Sequence, residues 1–422
     1  MRLRLRILLL ASPVAVLAGE YVHGQTIYEP YDPGSGDKLV TLAAEQHELI
    51  ERRGLRYVDS QLQALLDRVA GTVLPTVADD YIDFRVYLIR DPSPISFSLA
   101  DGQIYIHTGL LARLQSEGQL AAVIAHEAHH VAAHDHFSAD KARRGKATAL
   151  GFFGTAAGIG AFAATVSQSL RTRFGEDTEM DADAHAVELI ANAGYRKMAA
   201  LQVLDLILRD PELVSPDISG LWTTVTEMEQ RRAALQALIG ADESAAGPSQ
   251  ALVLTELVDM TIDDYIRLDR AGTAVEWIDA LIEVRPDAFL YAAKGDAHVA
   301  LGPRPHHITE GLTESEIRKL SRLTRAEIDE KYLATAEGKT RYRENTDMAI
   351  SAYTEAIRRD ENNARAHAGL GQVYFSEGNY RPAAQHLVTY LKLKPDAVDR
   401  HLVLEKLQHI SNELRIQKEK NQ

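Results

Sequence analysis

Residues 121–136, AAVIAHEAHHVAAHDH, hold five histidines and one glutamate, with no glycine or proline among them. Within this stretch His126, Glu127 and His130 spell H-E-x-x-H. Residues four apart on a helix share a face, with Cβ atoms roughly 5–6 Å apart. Two imidazoles at that spacing can both reach one Zn²⁺ at about 2.0–2.1 Å. Glu127, beside the first histidine, is placed to act as a general base. It can take a proton from water attacking a carbonyl and return it to the leaving amine. The motif is short and the chain contains 16 histidines, so its weight depends on a third ligand.

Two candidates exist for that ligand. His136 completes H-E-x-x-H-x-x-x-x-x-H, the metzincin spacing, in which a midway glycine lets the chain turn back towards the metal. Here that position is Ala133, which continues the helix and carries His136 away. The other candidate lies in GEDTEMDADAHAVELIANAGYR (175–196), where Glu179 and Asp183 again stand four apart. Glu179 can supply a carboxylate oxygen, giving a His₂Glu set with an open fourth position. Asp183, one turn on, can accept from a ligand histidine's other ring N–H and fix its tautomer. Taken alone, this acidic run reads equally as a solvated helix face. His134 shares the ligand face, His129 and His136 are expected to face solvent or a neighbouring loop, and His107 in its strand is left without a role.

The surrounding pattern supplies elements to hold these groups. A helical periodicity runs through 41–70, with Leu62, Leu65, Leu66 and Val69 on one side. IDFRVYLIR (82–90) alternates and is rich in β-formers. ISFSLADGQIYIHTGLL (95–111) reads as an extended segment, a turn near Asp101–Gly102 and a second strand. The histidine helix begins near Gln115 to Leu120. Residues 147–167 are small, apolar and uncharged; their glycines and alanines favour a packed helix or a membrane-touching hairpin over a span. IGADESAAGPSQ (239–250) has linker composition.

These segments together resemble the gluzincin metallopeptidases of the HtpX and BepA type. The resemblance runs from about residue 80 to 205: IYIHTGLL (104–111), then H-E-x-x-H, then E-x-[ED]-A-D at 179–183, then AGYRKMAALQVLDLI to residue 207. It implies His126, His130 and Glu179 as metal ligands, Glu127 and Asp183 as catalytic residues, and one Zn²⁺ per chain. It also implies that the strand at 104–111 is a sheet edge able to bind an extended peptide by strand addition. Three departures stand out. SFSLADG (96–102) replaces the family's N-A-F-A-x-P-G-G, and Glu176 stands where an arginine is common. TVTEMEQRR (224–232) lacks the usual His-Pro pair, which leaves transition-state stabilisation unassigned.

Beyond the linker, ARAHAGLGQVYFSEGNYRPAAQHLVTYLKLKP (364–395) resembles a tetratricopeptide repeat. Leu370, Gly371, Tyr374, Gly378, Tyr380, Ala383 and Pro395 occupy its usual positions. Tyr265, Ala274 and Pro286 mark an earlier unit. A third is split between 291–302 and 347–361 by a charged insertion, 303–346. Such a solenoid presents a surface suited to a protein partner.

Composition bounds the rest. The 422 residues are 45% hydrophobic with a formal net charge of −14, which argues against nucleic-acid binding, since phosphate backbones demand clustered Lys and Arg. There are no cysteines, which excludes disulfides, thiolate ligands, a cysteine nucleophile and a lipoprotein acylated on an N-terminal cysteine. MRLRLRILLLASPVAVLAGE (1–20) has the arginines, the short apolar stretch and the small residues Val16 and Ala18 of a cleavable secretory signal. The expected organisation is a signal peptide over 1–18, a metallopeptidase domain over 19–238, a linker over 239–250 and a repeat domain over 251–422. The expected fold class is α+β and mostly helical: a zincin-type domain with a small sheet, then an α-solenoid of helix pairs. The expected protein is a periplasmic zinc endopeptidase acting on protein or peptide substrates in outer-membrane protein quality control. Its repeats would recruit envelope assembly proteins, and 147–167 could touch the membrane. The alternative from another class is a periplasmic chaperone or scaffold with a structural or idle metal site.

Overall fold

The computed structural model describes residues 21–22, 25–27, 36–74, 77–78, 82–133, 135, 174–209, 225–240, 251–252, 254–305, 319 and 323–420. The expected signal peptide (1–18), the apolar segment 147–167, His134, His136 and the linker from 241 to 250 lie outside the described residues. Among those described, no helix is long and apolar enough to cross a membrane. The chain divides into two compact units, the first reaching Thr261 and the second running from Ile262 to Gln422.

In the first unit a three-stranded sheet has the order β4-β6-β5, formed by Arg85–Ile89 (β4), Ser96–Ser98 (β5) and Gln103–His107 (β6). β4 runs parallel to β6, and β5 antiparallel to it, with Ser96 opposite Ile106. β6 is therefore the central strand, and this corrects its expected place at the sheet edge. Its unbroken apolar run fits a strand covered on both faces, and Ile104, Tyr105 and Ile106 are fully buried. β5 is the edge. A smaller ribbon is made by Tyr21–Val22 (β1), Gln25–Ile27 (β2) and Val77–Ala78 (β3).

Helix α1 covers Gly36–Arg52 and α2 covers Ser60–Val73. Asp59 caps α2 by accepting from the backbone N–H groups of Gln61 and Leu62. The helix buries Leu65, Leu66, Val69 and Val73 at helical spacing against β4 and the histidine helix. That helix, α4 (Glu117–Ala132), follows the short α3 (Thr108–Arg113) and starts at Ser116, whose side chain caps Gln119. It lies at the centre of the unit, packed against α2, β5, β6, α5 (Glu176–Asn192) and α6 (Met198–Leu208). Ala121, Ala122, Ala125, Ala128 and Ala132 are all buried, and their small side chains let these neighbours approach from several sides. Helix α7, Val225–Ile239, closes over α5 and α6.

A buried latch joins the sheet to α3. Thr108 Oγ1 donates to the Asp91 carbonyl at 2.9 Å, and the Asp91 carboxylate lies 3.4 Å from His107 Nδ1. His107, left without a role by the sequence, is fully buried here. Gly109 N–H donates to the same Asp91 carbonyl, and the Arg113 side chain donates to the carbonyls of Gly109 and Pro92. The latch fixes the loop that leads into Ser96, the first residue of β5.

In the second unit helices pack in pairs: α8 (Thr255–Arg267, which begins in the first unit), α9 (Ala271–Val284), α10 (Ala288–Leu301), α11 (Arg325–Leu333), α12 (Ala336–Arg359), α13 (Ala364–Ser376), α14 (Tyr380–Leu393) and α15 (Arg400–Lys420). Gly371 faces Leu387, where a Cβ would sit 2.6 Å from its side chain, and Ala383 is fully buried. Tyr353 fills the space left by Gly295 and Gly369. The split repeat is present as α10 against α12. The end of the charged insertion lengthens α12 by three turns from Thr335, whose side chain caps it.

A Cβ at Gly109 would stand 1.8 Å from the Pro92 carbonyl oxygen, whereas one at Gly71 in α2 meets nothing within 4 Å. Gly109→Ala should therefore destabilise at or beyond the top of the ~1–3 kcal/mol overpacking range. Gly71→Ala should stabilise by about 0.5–1 kcal/mol. Urea unfolding of both variants checks the pair, and equal effects would contradict the latch.

Candidate metal centre

α4 and α5 cross so that the histidine face of one meets the acidic face of the other. His126 and His130 stand edge to face, with ring centroids 4.7 Å apart. Their Nε2 atoms are 3.1 Å apart. Glu179 on α5 reaches both, at 3.5 Å from His126 Nε2 and 3.8 Å from His130 Nε2. Donors on one tetrahedral Zn²⁺ with bonds of 2.0–2.1 Å are separated by about 3.4 Å, so these separations suit a single ion.

The outer nitrogens settle which lone pairs face inward. His126 Nδ1 lies 3.0 Å from Asp183 Oδ1, and His130 Nδ1 lies 2.8 Å from Asp135 Oδ2. An ionised carboxylate only accepts, so both Nδ1 atoms carry hydrogen and each Nε2 turns its lone pair towards the other. Two lone pairs 3.1 Å apart repel unless a cation or proton lies between them. Burial alone would lower the basicity of His126, yet the Asp183 and Glu179 carboxylates raise its pKa to about 10. A site that holds a proton there against burial has the charge distribution for a divalent cation. Phe174 stacks on the His130 ring at 4.1 Å and restricts its rotation.

Arg231 on α7 completes the arrangement. Its Nε and Nη2 donate to the two oxygens of Asp183 at 2.7 and 2.8 Å, and Nη1 lies 2.9 Å from Glu179 Oε2. Burial would push both carboxyls up, but the Arg231 guanidinium holds Asp183 below, and Glu179 well below, the usual range. The fork geometry orients Asp183, which in turn orients His126. Glu127 is buried and accepts a 2.8 Å hydrogen bond from Ser96 Oγ of β5. Beside it opens a cleft of about 120 Å³ whose walls include Phe97, Leu110, Val123, Val203, Leu204 and Met228.

All five expected site residues, His126, Glu127, His130, Glu179 and Asp183, thus converge on one cleft. His129, expected to face solvent, is buried instead, against Asp181 and His185. α4 does not run on through Ala133 as expected but ends at Ala132, and the turn brings Asp135 back to His130. Arg231, Asp135 and Ser96 were not foreseen. Arg231 had a signal in TVTEMEQRR, since two carboxylates drawn into a helix–helix contact require a counter-charge. Asp135 had none, because a residue five after His130 falls off the helix face.

Residues 57–251 match Peptidase family M48, and residues 342–407 match a tetratricopeptide repeat. The chain is similar to the "Putative beta-barrel assembly-enhancing protease" of Vibrio cholerae serotype O1, at 29% identity over 150 residues, which is 32% of this chain and 31% of that protein. It is also similar to the "Mitochondrial metalloendopeptidase OMA1" of Schizosaccharomyces pombe, at 36% identity over 70 residues, 16% of this chain and 21% of that protein. The chain thus spans less than a third of the length of each of these relatives.

Replacing Arg231 by methionine leaves the buried Asp183 and the half-buried Glu179 without their counter-charge. Stability in the presence of a chelator should fall by about 3–5 kcal/mol. Metal affinity, read by chelator competition, should fall about 10–100-fold as Asp183 loses its orientation. Arg231→Lys should recover part of the stability but not the forked contact. An affinity that rose in Arg231→Met would mean that charge repulsion, rather than orientation, governs this contact.

Proposed function

With residues 57–251 forming a peptidase family M48 domain beside tetratricopeptide repeats, we propose that the protein is an exported zinc-dependent endopeptidase. In this reading His126, His130 and Glu179 hold the metal, Glu127 is the general base, and Asp183 and Arg231 position the ligands. The observation that carries it is the convergence of two fixed Nε2 lone pairs and the Glu179 carboxylate beside a buried second glutamate. Zinc held there supplies Lewis-acid polarisation of a carbonyl and activation of water.

The chain's own groups account for the remaining steps. Glu127 takes the proton of the attacking water on its carboxylate and delivers it to the leaving amine nitrogen. The Ser96 hydroxyl, donating to Oε1, holds that carboxylate in place. Because Ser96 begins the edge strand β5, a peptide added along that edge lies alongside Glu127. The apolar walls of the cleft suit an apolar side chain next to the cleaved bond and exclude water from the proton transfer. Asp183 and Asp135 keep both ligand imidazoles in the Nδ1–H tautomer.

The wider role extends this reading. A peptidase domain over 19–238 and repeats over 251–422, joined by a linker over 239–250, follow an N-terminal export signal over 1–18. The similarity to a protein named for beta-barrel assembly supports a periplasmic role in outer-membrane protein quality control. In that role the repeats recruit substrates or assembly proteins.

Glu127→Gln keeps the hydrogen-bonding shape and removes the base. It should retain wild-type metal content and thermal stability while peptide-bond cleavage falls by at least about 10²-fold, the lower range of general-base contributions. Casein or an unfolded outer-membrane protein serves as substrate, with elemental analysis in parallel. Substantial residual cleavage with the metal intact would remove Glu127 from this role. Cleavage that persists after chelation would remove the metal.

A further inference from the structure

The cleft beside Glu127 has a wall that the proton transfer does not use. Ala200, Val203, Leu204 and Ile207 line it from α6. Their spacing of i, i+3, i+4 and i+7 makes them one apolar stripe of that helix. Met228 of α7 and Val123 of α4 also line it. Ala200, Val203, Leu204 and Met228 are each no more than 8% exposed, so the space they border is a recess rather than open surface.

Its size is restrictive. The cleft measures about 120 Å³, and part of that belongs to the rim where His126, Glu127 and Glu179 stand. An apolar cavity of about 150 Å³ takes up benzene, so the recess falls short of an aromatic ring while admitting a branched aliphatic side chain. Charge is also disfavoured. Arg231, Asp183 and Glu179 line the cleft but are committed to one another, and a further charge would be buried without a counter-charge. Met228 is held in place, since Arg231 Nη1 donates to its sulfur at 3.7 Å. That contact limits the rearrangement an unbranched methionine otherwise allows.

Which substrate residue enters follows from Glu127. To protonate the leaving nitrogen, Glu127 must come within hydrogen-bond reach of it. Glu127 also lines the recess, so the side chain nearest to it belongs to the residue supplying that nitrogen, the one after the cleaved bond. We propose, on the strength of the peptidase reading above, that the recess selects a leucine-sized aliphatic residue after the cleaved bond and that Met228 sets the upper size limit. Folded proteins bury such residues, so this selection favours unfolded chains as substrates. A methylene gained or lost in an apolar pocket changes kcat/KM about 10–200-fold, which gives the scale of discrimination expected.

The test uses the zinc-loaded full-length chain and a polar, unstructured, labelled peptide whose single variable residue is Leu, Ala, Phe or Lys. Wild type should cut on the N-terminal side of leucine, with kcat/KM at least about 10-fold above each of the other three. Binding of the same peptides to Glu127→Gln, read by fluorescence anisotropy, should follow the same order. Met228→Ala should raise kcat/KM for the phenylalanine peptide about 10-fold or more relative to the leucine peptide. Phenylalanine cut as well as leucine by wild type overturns the proposal, as does selection of the residue before the bond; in both cases the proposed function stands. Binding that prefers leucine without any cleavage supports the recess and removes the peptidase reading. The absence of both preference and cleavage overturns both. An unchanged order in a folded Met228→Ala overturns the role of Met228. Should that variant fail to fold, the wild-type order decides.

Discussion

The Nδ1 atoms of His126 and His130 are each held by a carboxylate, and this constraint shapes the site around them. With Asp183 and Asp135 accepting those hydrogens, neither imidazole can turn its Nε2 lone pair away from the other. The resulting repulsion is tolerable with a positive charge between the rings, and Glu179 faces the same point. A protein interior of low dielectric makes such an arrangement costly without a cation and strongly favourable with one. The centre is in this sense built before the metal arrives.

Holding that geometry falls to the packing of α4. Its alanines let several elements contact it at once, so His126 and His130 are fixed by a close-packed shell. α5 supplies the opposing carboxylates, and Arg231 from α7 locks them. The buried fork of Arg231 on Asp183 is a pair whose desolvation is tolerated because every charge has a partner. The sheet contributes by placement: the Asp91 latch sets the path of the chain into β5, and Ser96 from that strand meets Glu127. Fold and chemistry are linked through single hydrogen bonds at the ends of rigid elements.

Much of this was legible in the residues. The i, i+4 pairs His126/His130 and Glu179/Asp183 announced two helix faces that needed each other, and the structure brings them together. Gly371 and Ala383 announced the helix–helix contacts of the repeats. Tertiary relations were harder. The edge place expected for β6 came from the family resemblance, and nothing local in the residues reveals that β4 and β5 flank it. His129 reads as solvent-facing because its burial depends on α5, some fifty residues away. Arg231 lies outside any periodic pattern that points at the site, and Asp135 reaches His130 through a turn at Ala133 that the helical propensity of alanine conceals.

The most direct test is a crystal structure of the full chain with zinc, using anomalous scattering at the zinc edge. The account predicts an ion within about 2.0–2.2 Å of His126 Nε2, His130 Nε2 and a Glu179 oxygen, with both Nδ1 atoms still on their carboxylates. An ion bound through either Nδ1, or one that leaves Glu179 free, would contradict it.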